Sequence, residues 1–283
     1  MAIVNQPADA VPPDYLEARA HELRGSMLAM ARRIGQGYIG QGLGIADLLA
    51  ALYFFEMRYD PAAPRWPGRD RFILSTGHYS IALWAVLAAA NIIPPEELPT
   101  YGADGSRLDM STLDTTPGVE VIGGSLGQGL GQAVGMALGL RLDGKGARVF
   151  CEFSDGELQE GSTWEAAIAA ASFGLDNLVA LIDCNGIQAD GPVVLDMEPV
   201  ADKWRAFGWQ TSEIDGNEMR AVIDALADAR ERNGKPKAIV LRTLPGKGVP
   251  RIETSEKSHF FRIDVAQWDG IIAEFEKTVG AVQ

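Results

Sequence analysis

Asp155 and Asn185 are the residues of this chain best placed to do chemistry. Ser154-Asp155-Gly156-Glu157-Leu158-Gln159-Glu160-Gly161 follows one apolar run, and Asp183-Cys184-Asn185-Gly186-Ile187 closes the next. A carboxylate, an amide oxygen and a backbone carbonyl at Ile187 are hard oxygen donors suited to Mg2+ or Ca2+. Such an ion usually keeps phosphate oxygens in its shell, and Gly156 offers a bare backbone N–H beside it. The competing reading is local: Asp155 caps the helix that follows, and Asn185 fills a turn. Position favours the chemistry. Ligands of open parallel sheets bind beyond the carboxyl ends of the strands, and right-handed crossovers bring consecutive strand ends to one edge.

The surrounding pattern predicts those elements. Apolar runs at 71–75, 149–153, 178–184, 209–214 and 238–241 read as strands. Helical periodicity fits 14–34 (with Asp14 as the cap), 45–55, 79–90, 164–173 and 218–232. Gly174 is suited to the left-handed residue after a helix. Small residues suggest a further helix opening at Gly124 and running to about Leu142, and the glycines from Gly35 to Gly42 read as a helix break. The alternation of strands and helices predicts an α/β fold, an open and mostly parallel sheet with helices on both faces. No Pro/Gly/Ser linker divides the chain, so one domain over 1–283 with an N-terminal arm over 1–13 is expected.

Bulk properties narrow the function. The net charge of −13 argues against a sequence-independent hold on nucleic acid, which depends on Lys and Arg. No run approaches the roughly 20 apolar residues of a membrane span, and residues 1–13 lack the pattern of a signal peptide. Cys151 and Cys184 sit in apolar strands and suggest free thiols in a reducing, cytoplasmic compartment. The 32 glycines gather in clusters, which suggests backbone held close to something else.

The motif Asp-Gly-X-X-X-Glu-Gly, followed by Asp-X-Asn-X-Ile-X-X-Asp-Gly, resembles the thiamine diphosphate signature of the transketolase family. Leu74-Ser75-Thr76-Gly77-His78, Pro117-Gly118-Val119-Glu120, Gly124-Ser125-Leu126-Gly127-Gln128-Gly129, Asp215-Gly216-Asn217 and Gly246-Lys247-Gly248-Val249 are similar to further family segments in the same order. The resemblance covers nearly the whole chain. It implies the thiamine diphosphate-binding fold and thiamine diphosphate with Mg2+ (or Ca2+) as cofactors. Asp155, Asn185 and the Ile187 carbonyl would hold the metal. Gly156, Glu157 and His78 would lie at the diphosphate, and Gly124, Ser125 and Leu126 at the aminopyrimidine side. His78, His259 and Glu160 would serve catalysis, Glu160 at a subunit interface; the flanks of His259 match the family less well.

The family's full-length chains add a domain that binds the pyrimidine ring, and this sequence ends before it. The resemblance therefore implies the N-terminal subunit of a split enzyme, active in an α2β2 assembly with a C-terminal subunit on small-molecule substrates. Two departures fall at the donor end. Tyr38 stands where the family has a histidine, and Met110 or Ser111 where it has another; His21, His78 and His259 are the only three in the chain. Losing two groups that titrate near neutral pH implies an altered donor or acceptor, and a 2-oxo acid donor is consistent with it. The other readings are a 2-oxo acid decarboxylase or dehydrogenase subunit and a non-catalytic regulatory homologue.

Overall fold

The strands that end at Asp155 and Asn185 are buried along their whole length, as the middle of a parallel sheet requires. The computed structural model describes residues 11–189, 191–255 and 257–279; the first ten residues of the expected arm over 1–13 lie outside them. In chain order the strands are β1 (Gln36–Gly37), β2 (Arg71–Leu74), β3 (Val149–Ser154), β4 (Leu178–Cys184), β5 (Ile187–Gln188), β6 (Gly191–Pro192), β7 (Gln210–Asp215), β8 (Lys237–Arg242) and β9 (Phe261–Arg262). β2, β3, β4, β8 and β7 lie side by side in that order, and each neighbouring pair is parallel. The register pairs Ser154 with Asp183, so the strand ends preceding Asp155 and Asn185 are level.

The main helices are α1 (Pro13–Ile34), α2 (Ile39–Gly44), α3 (Ala46–Ala51), α4 (Ser80–Ala89), α5 (Gly129–Leu142), α6 (Gly161–Ser172), α7 (Val200–Ala206) and α8 (Met219–Asp228). Strand side chains alternate between two faces. Phe150, Leu181 and Leu241 join a core with α1, α3, α4 and α8, while Cys151, Ile182 and Val240 join another with α5, α6 and α7. Helices thus cover both faces. Among the described residues no helix is long and apolar enough to cross a membrane.

Three expectations about elements are corrected. α1 begins at Pro13 with no side-chain cap, and Asp14 lies inside its first turn; proline at the first position already presets the backbone angle. Residues 39–44 form a fully buried helix, although their glycines read as a break. Glycine is required there by packing: a Cβ on Gly40 would lie 2.4 Å from the Ser258 carbonyl oxygen. The helix expected from Gly124 starts only at Gly129. Gly124 and Gly127 have φ of 120° and 80°, which a right-handed helix cannot accept. α7, seven residues long, is too short to show a period in sequence.

The opposite edge of the sheet is held by a buried ion cluster. Glu56, fully enclosed, pairs with Arg148 and with Arg230 at 2.7 Å, and Asp70 lies 3.5 Å from Arg148. Removing one member would strand a buried charge, at a cost of about 3–5 kcal/mol. This end is structural, and the chemistry gathers at the other.

Candidate active site

Asp155 follows the last residue of β3 and is 8% exposed. Its Oδ1 accepts the Gly156 N–H at 2.8 Å, and its Oδ2 accepts the Gly186 N–H at 2.7 Å. The second bond stitches the end of β3 to the turn after β4. Asn185 is oriented by its own neighbours: Nδ2 donates to Asp183 Oδ2 at 2.6 Å and to the Tyr79 hydroxyl at 3.0 Å. Its Oδ1 is thereby turned to the Gly186–Ile187 side, where it accepts the Ile187 N–H at 3.0 Å. Asp183 also accepts from the Tyr79 hydroxyl at 3.1 Å and from Thr243.

Burial, and then the charge of Asp183, push the Asp155 carboxyl up to about 7 against the pull of the Gly186 and Gly156 N–H groups. A bound cation would reverse that balance. Among the described residues no group of three or more His, Cys, Asp or Glu gathers to hold a metal. Any ion at this edge would therefore use the mixed set of carboxylate, amide and carbonyl oxygens, completed by a ligand. That donor set fits Mg2+ or Ca2+.

His78 stands on a single turn between β2 and α4. Burial, with His259 beside it, pushes its imidazole down to about 3, so the ring is neutral around pH 7. The His78 and His259 rings lie 5.4 Å apart, and Tyr38 presents an edge to them at 4.9 and 5.4 Å. The fold thus brings together three residues far apart in sequence. Phe260, 4.9 Å from Tyr38, completes a four-ring wall; nothing in its sequence context marks it. Tyr79, which orients Asn185, is a second omission of the sequence reading, because only the fold carries it across to β4.

The turn containing Gly124, Ser125 and Leu126 packs against the His78 turn backbone to backbone. A Cβ on Gly77 would sit 2.3 Å from the Gly123 carbonyl carbon. Ser111 Oγ donates to the Gly123 carbonyl at 3.0 Å, which places Ser111 beside this turn. Met110 instead packs on the core that includes α1 and α4. Glu160 is exposed at the start of α6 and makes no capping bond. Glu157 is enclosed between Ser75 and Gly127.

An open parallel sheet that gathers a carboxylate, an amide oxygen, glycine N–H groups and a neutral histidine at its carboxyl edge has the layout of a ligand-binding α/β domain. The transketolase thiamine diphosphate-binding domain matches residues 18–267. A transketolase family protein of Sinorhizobium fredii is 52% identical over 257 residues, covering 89% of this chain and 92% of the relative. The 6-deoxy-6-sulfo-D-fructose transketolase subunit of a Clostridium species is 40% identical, covering 93% of this chain and 96% of that subunit. The transketolase from Campylobacter jejuni superposes with a TM-score of 0.87 at 30% identity, covering 94% of this chain and 43% of that one. The chain belongs to the transketolase family, as its thiamine diphosphate-binding domain.

Proposed function

We propose that this chain is the N-terminal subunit of a two-chain, thiamine diphosphate-dependent transketolase that moves a ketol fragment from a ketose donor to an aldehyde acceptor. The observation that carries this is the convergence of Asp155 and Asn185 at one sheet edge, beside the turns of His78 and Gly124. In this reading Asp155, the Asn185 amide oxygen and the Ile187 carbonyl hold Mg2+ or Ca2+. Gly156 and His78 face the diphosphate, and Gly124, Ser125 and Leu126 line the ring. When bound, thiamine diphosphate supplies the nucleophilic carbon that attacks the donor carbonyl. Neutral His78 can donate one ring N–H and accept at the other nitrogen, which suits it to orient polar groups and not to act as a fixed cation.

The partner would be a C-terminal chain carrying the pyrimidine domain, in an α2β2 complex with Glu160 near the subunit boundary. Two facts support a partner. A relative named as a subunit is matched over 96% of its length. Ile122, Val194 and Leu195, 57–74% exposed, border the Gly124 and Asn185 turns and offer apolar surface. A reducing cytoplasm accords with the free, buried Cys151 and Cys184.

The donor end is where this chain would differ from a transketolase acting on common sugar phosphates. Tyr38 and Ser111 offer hydroxyls where imidazoles would titrate near neutral pH. The sulfofructose relative makes a ketose with an unusual terminal group the favoured donor class over a 2-oxo acid. A donor screen on the reconstituted complex, spanning ketose phosphates, sulfonated ketoses, free ketoses and 2-oxo acids, tests this. We expect ketol transfer from a ketose other than xylulose 5-phosphate. Robust turnover of xylulose 5-phosphate would refute the altered donor. Turnover of 2-oxo acids alone would favour the decarboxylase reading, and cofactor binding without any turnover the regulatory one.

A further inference from the structure

Ser75 and Thr76 immediately precede the turn of Gly77 and His78, and each gives its hydroxyl to a different buried carboxyl. Ser75 Oγ donates to Glu157 Oε1, and Thr76 Oγ1 donates to Glu152 Oε2 at 2.5 Å. Glu152 is 0% and Glu157 1% exposed. The same Glu157 oxygen accepts the Gly127 N–H at 2.8 Å, and Ser75 Oγ accepts the Gly129 N–H at 3.1 Å. One polar unit therefore ties three segments together: the His78 turn, the turn over 124–129 and the loop that follows Asp155.

The remaining oxygens, Glu152 Oε1 and Glu157 Oε2, have no hydrogen-bond partner. Enclosing a carboxyl with half its bonding capacity unmet is unfavourable for folding. β3 is otherwise Val149, Phe150, Cys151, Phe153 and Ser154, all buried, and an apolar residue at 152 would serve its packing better. The two acids therefore do something that packing does not require. We propose that Glu152 and Glu157 are positioning residues that hold the His78 turn and the 124–129 turn in register around the diphosphate cofactor, against the interest of fold stability. The proposal rests on the cofactor reading above for its purpose, though the clamp itself can be examined without cofactor.

The test uses the full chain, alone for thermal melting and amide hydrogen exchange and with its partner chain for cofactor titration. Glu152→Leu and Glu157→Leu should leave Tm close to wild type, because removing an under-bonded buried carboxyl offsets the donors left without a partner. Exchange should accelerate by about tenfold or more in peptides covering 75–79 and 123–129, and not elsewhere. Thiamine diphosphate binding should weaken by about 10–100-fold, the range seen when a supporting hydrogen bond behind a ligand is lost. Thr76→Val and Ser75→Ala remove the donors from the other side, keep the carboxyls, and should reproduce the local loosening. Glu152→Gln and Glu157→Gln retain the acceptor oxygen and should return binding to within about threefold of wild type.

Unchanged exchange in both turns would overturn the proposal. So would a fall in Tm with exchange accelerating uniformly, since the acids would then be ordinary core residues. Failure of the wild-type complex to bind thiamine diphosphate would defeat the cofactor reading, and the exchange and melting results would still decide whether the clamp exists.

Discussion

His78 is the residue whose chemistry burial changes most plainly. Its folded value of about 3 lies below the ordinary 6.5, so the unfolded chain takes up the proton more readily. The stability that comes from burying a neutral ring is complete above about pH 6.5 and is lost as the pH falls toward 3. His78→Phe lacks this dependence. The Tm of wild type relative to His78→Phe should therefore decline through that window, by the equivalent of up to a few kcal/mol. A pH-independent difference would mean that the ring is not held neutral by its surroundings. At this scale the residues of the candidate site that lie in local motifs were legible in the sequence. Asp155, Asn185 and His78 sit in local motifs at strand ends. Tyr79, Phe260 and Glu152 were not legible, because their roles come from contacts between segments far apart in the chain. The sequence also left Met110 and Ser111 as equal candidates, and only packing separates them.

Elements in this chain are shaped by how closely their backbones approach. Gly77 and Gly123 meet with no room for a side chain, whereas Gly135 on α5 is exposed with no atom within 4 Å of an added Cβ. Gly77→Ala should cost the isolated chain more than about 2 kcal/mol by forcing the two turns apart. Gly135→Ala should stabilise it by about 0.5–1 kcal/mol through helix propensity alone. Urea titration of the two variants measures both, and a Gly77→Ala chain as stable as wild type would contradict the close approach. The same physics explains which elements the sequence concealed. The strands were readable as apolar runs because a parallel sheet buries both faces. The glycines of α2 read as a break because propensity favours that, and contact with Ser258 overrides it. The start of α5 was misplaced because positive φ at Gly124 and Gly127 leaves no trace in hydrophobic periodicity.

For the whole molecule, the sheet assigns its two edges different work. One is closed by the Glu56, Arg148, Arg230 and Asp70 cluster; the other gathers polar groups whose bonding is complete only in part. The α/β class and the arrangement of helices on both faces were legible from the order of elements, but the strand order β2-β3-β4-β8-β7 was not, since adjacency depends on crossovers that no local pattern encodes. The chain spans 43% of the length of the Campylobacter jejuni transketolase, and under the proposed function the pyrimidine side of the cofactor falls to a partner chain. Under that proposal Asp155 and Asn185 hold a cation that binds thiamine diphosphate. Titration of thiamine diphosphate into the two-chain complex, with and without Mg2+, tests it most directly, with Asp155→Ala measured alongside. Mg2+-dependent binding by wild type is expected, weakened by more than about a hundredfold in the variant. Equal binding by Asp155→Ala, or no binding by the wild-type complex in Mg2+, would contradict it.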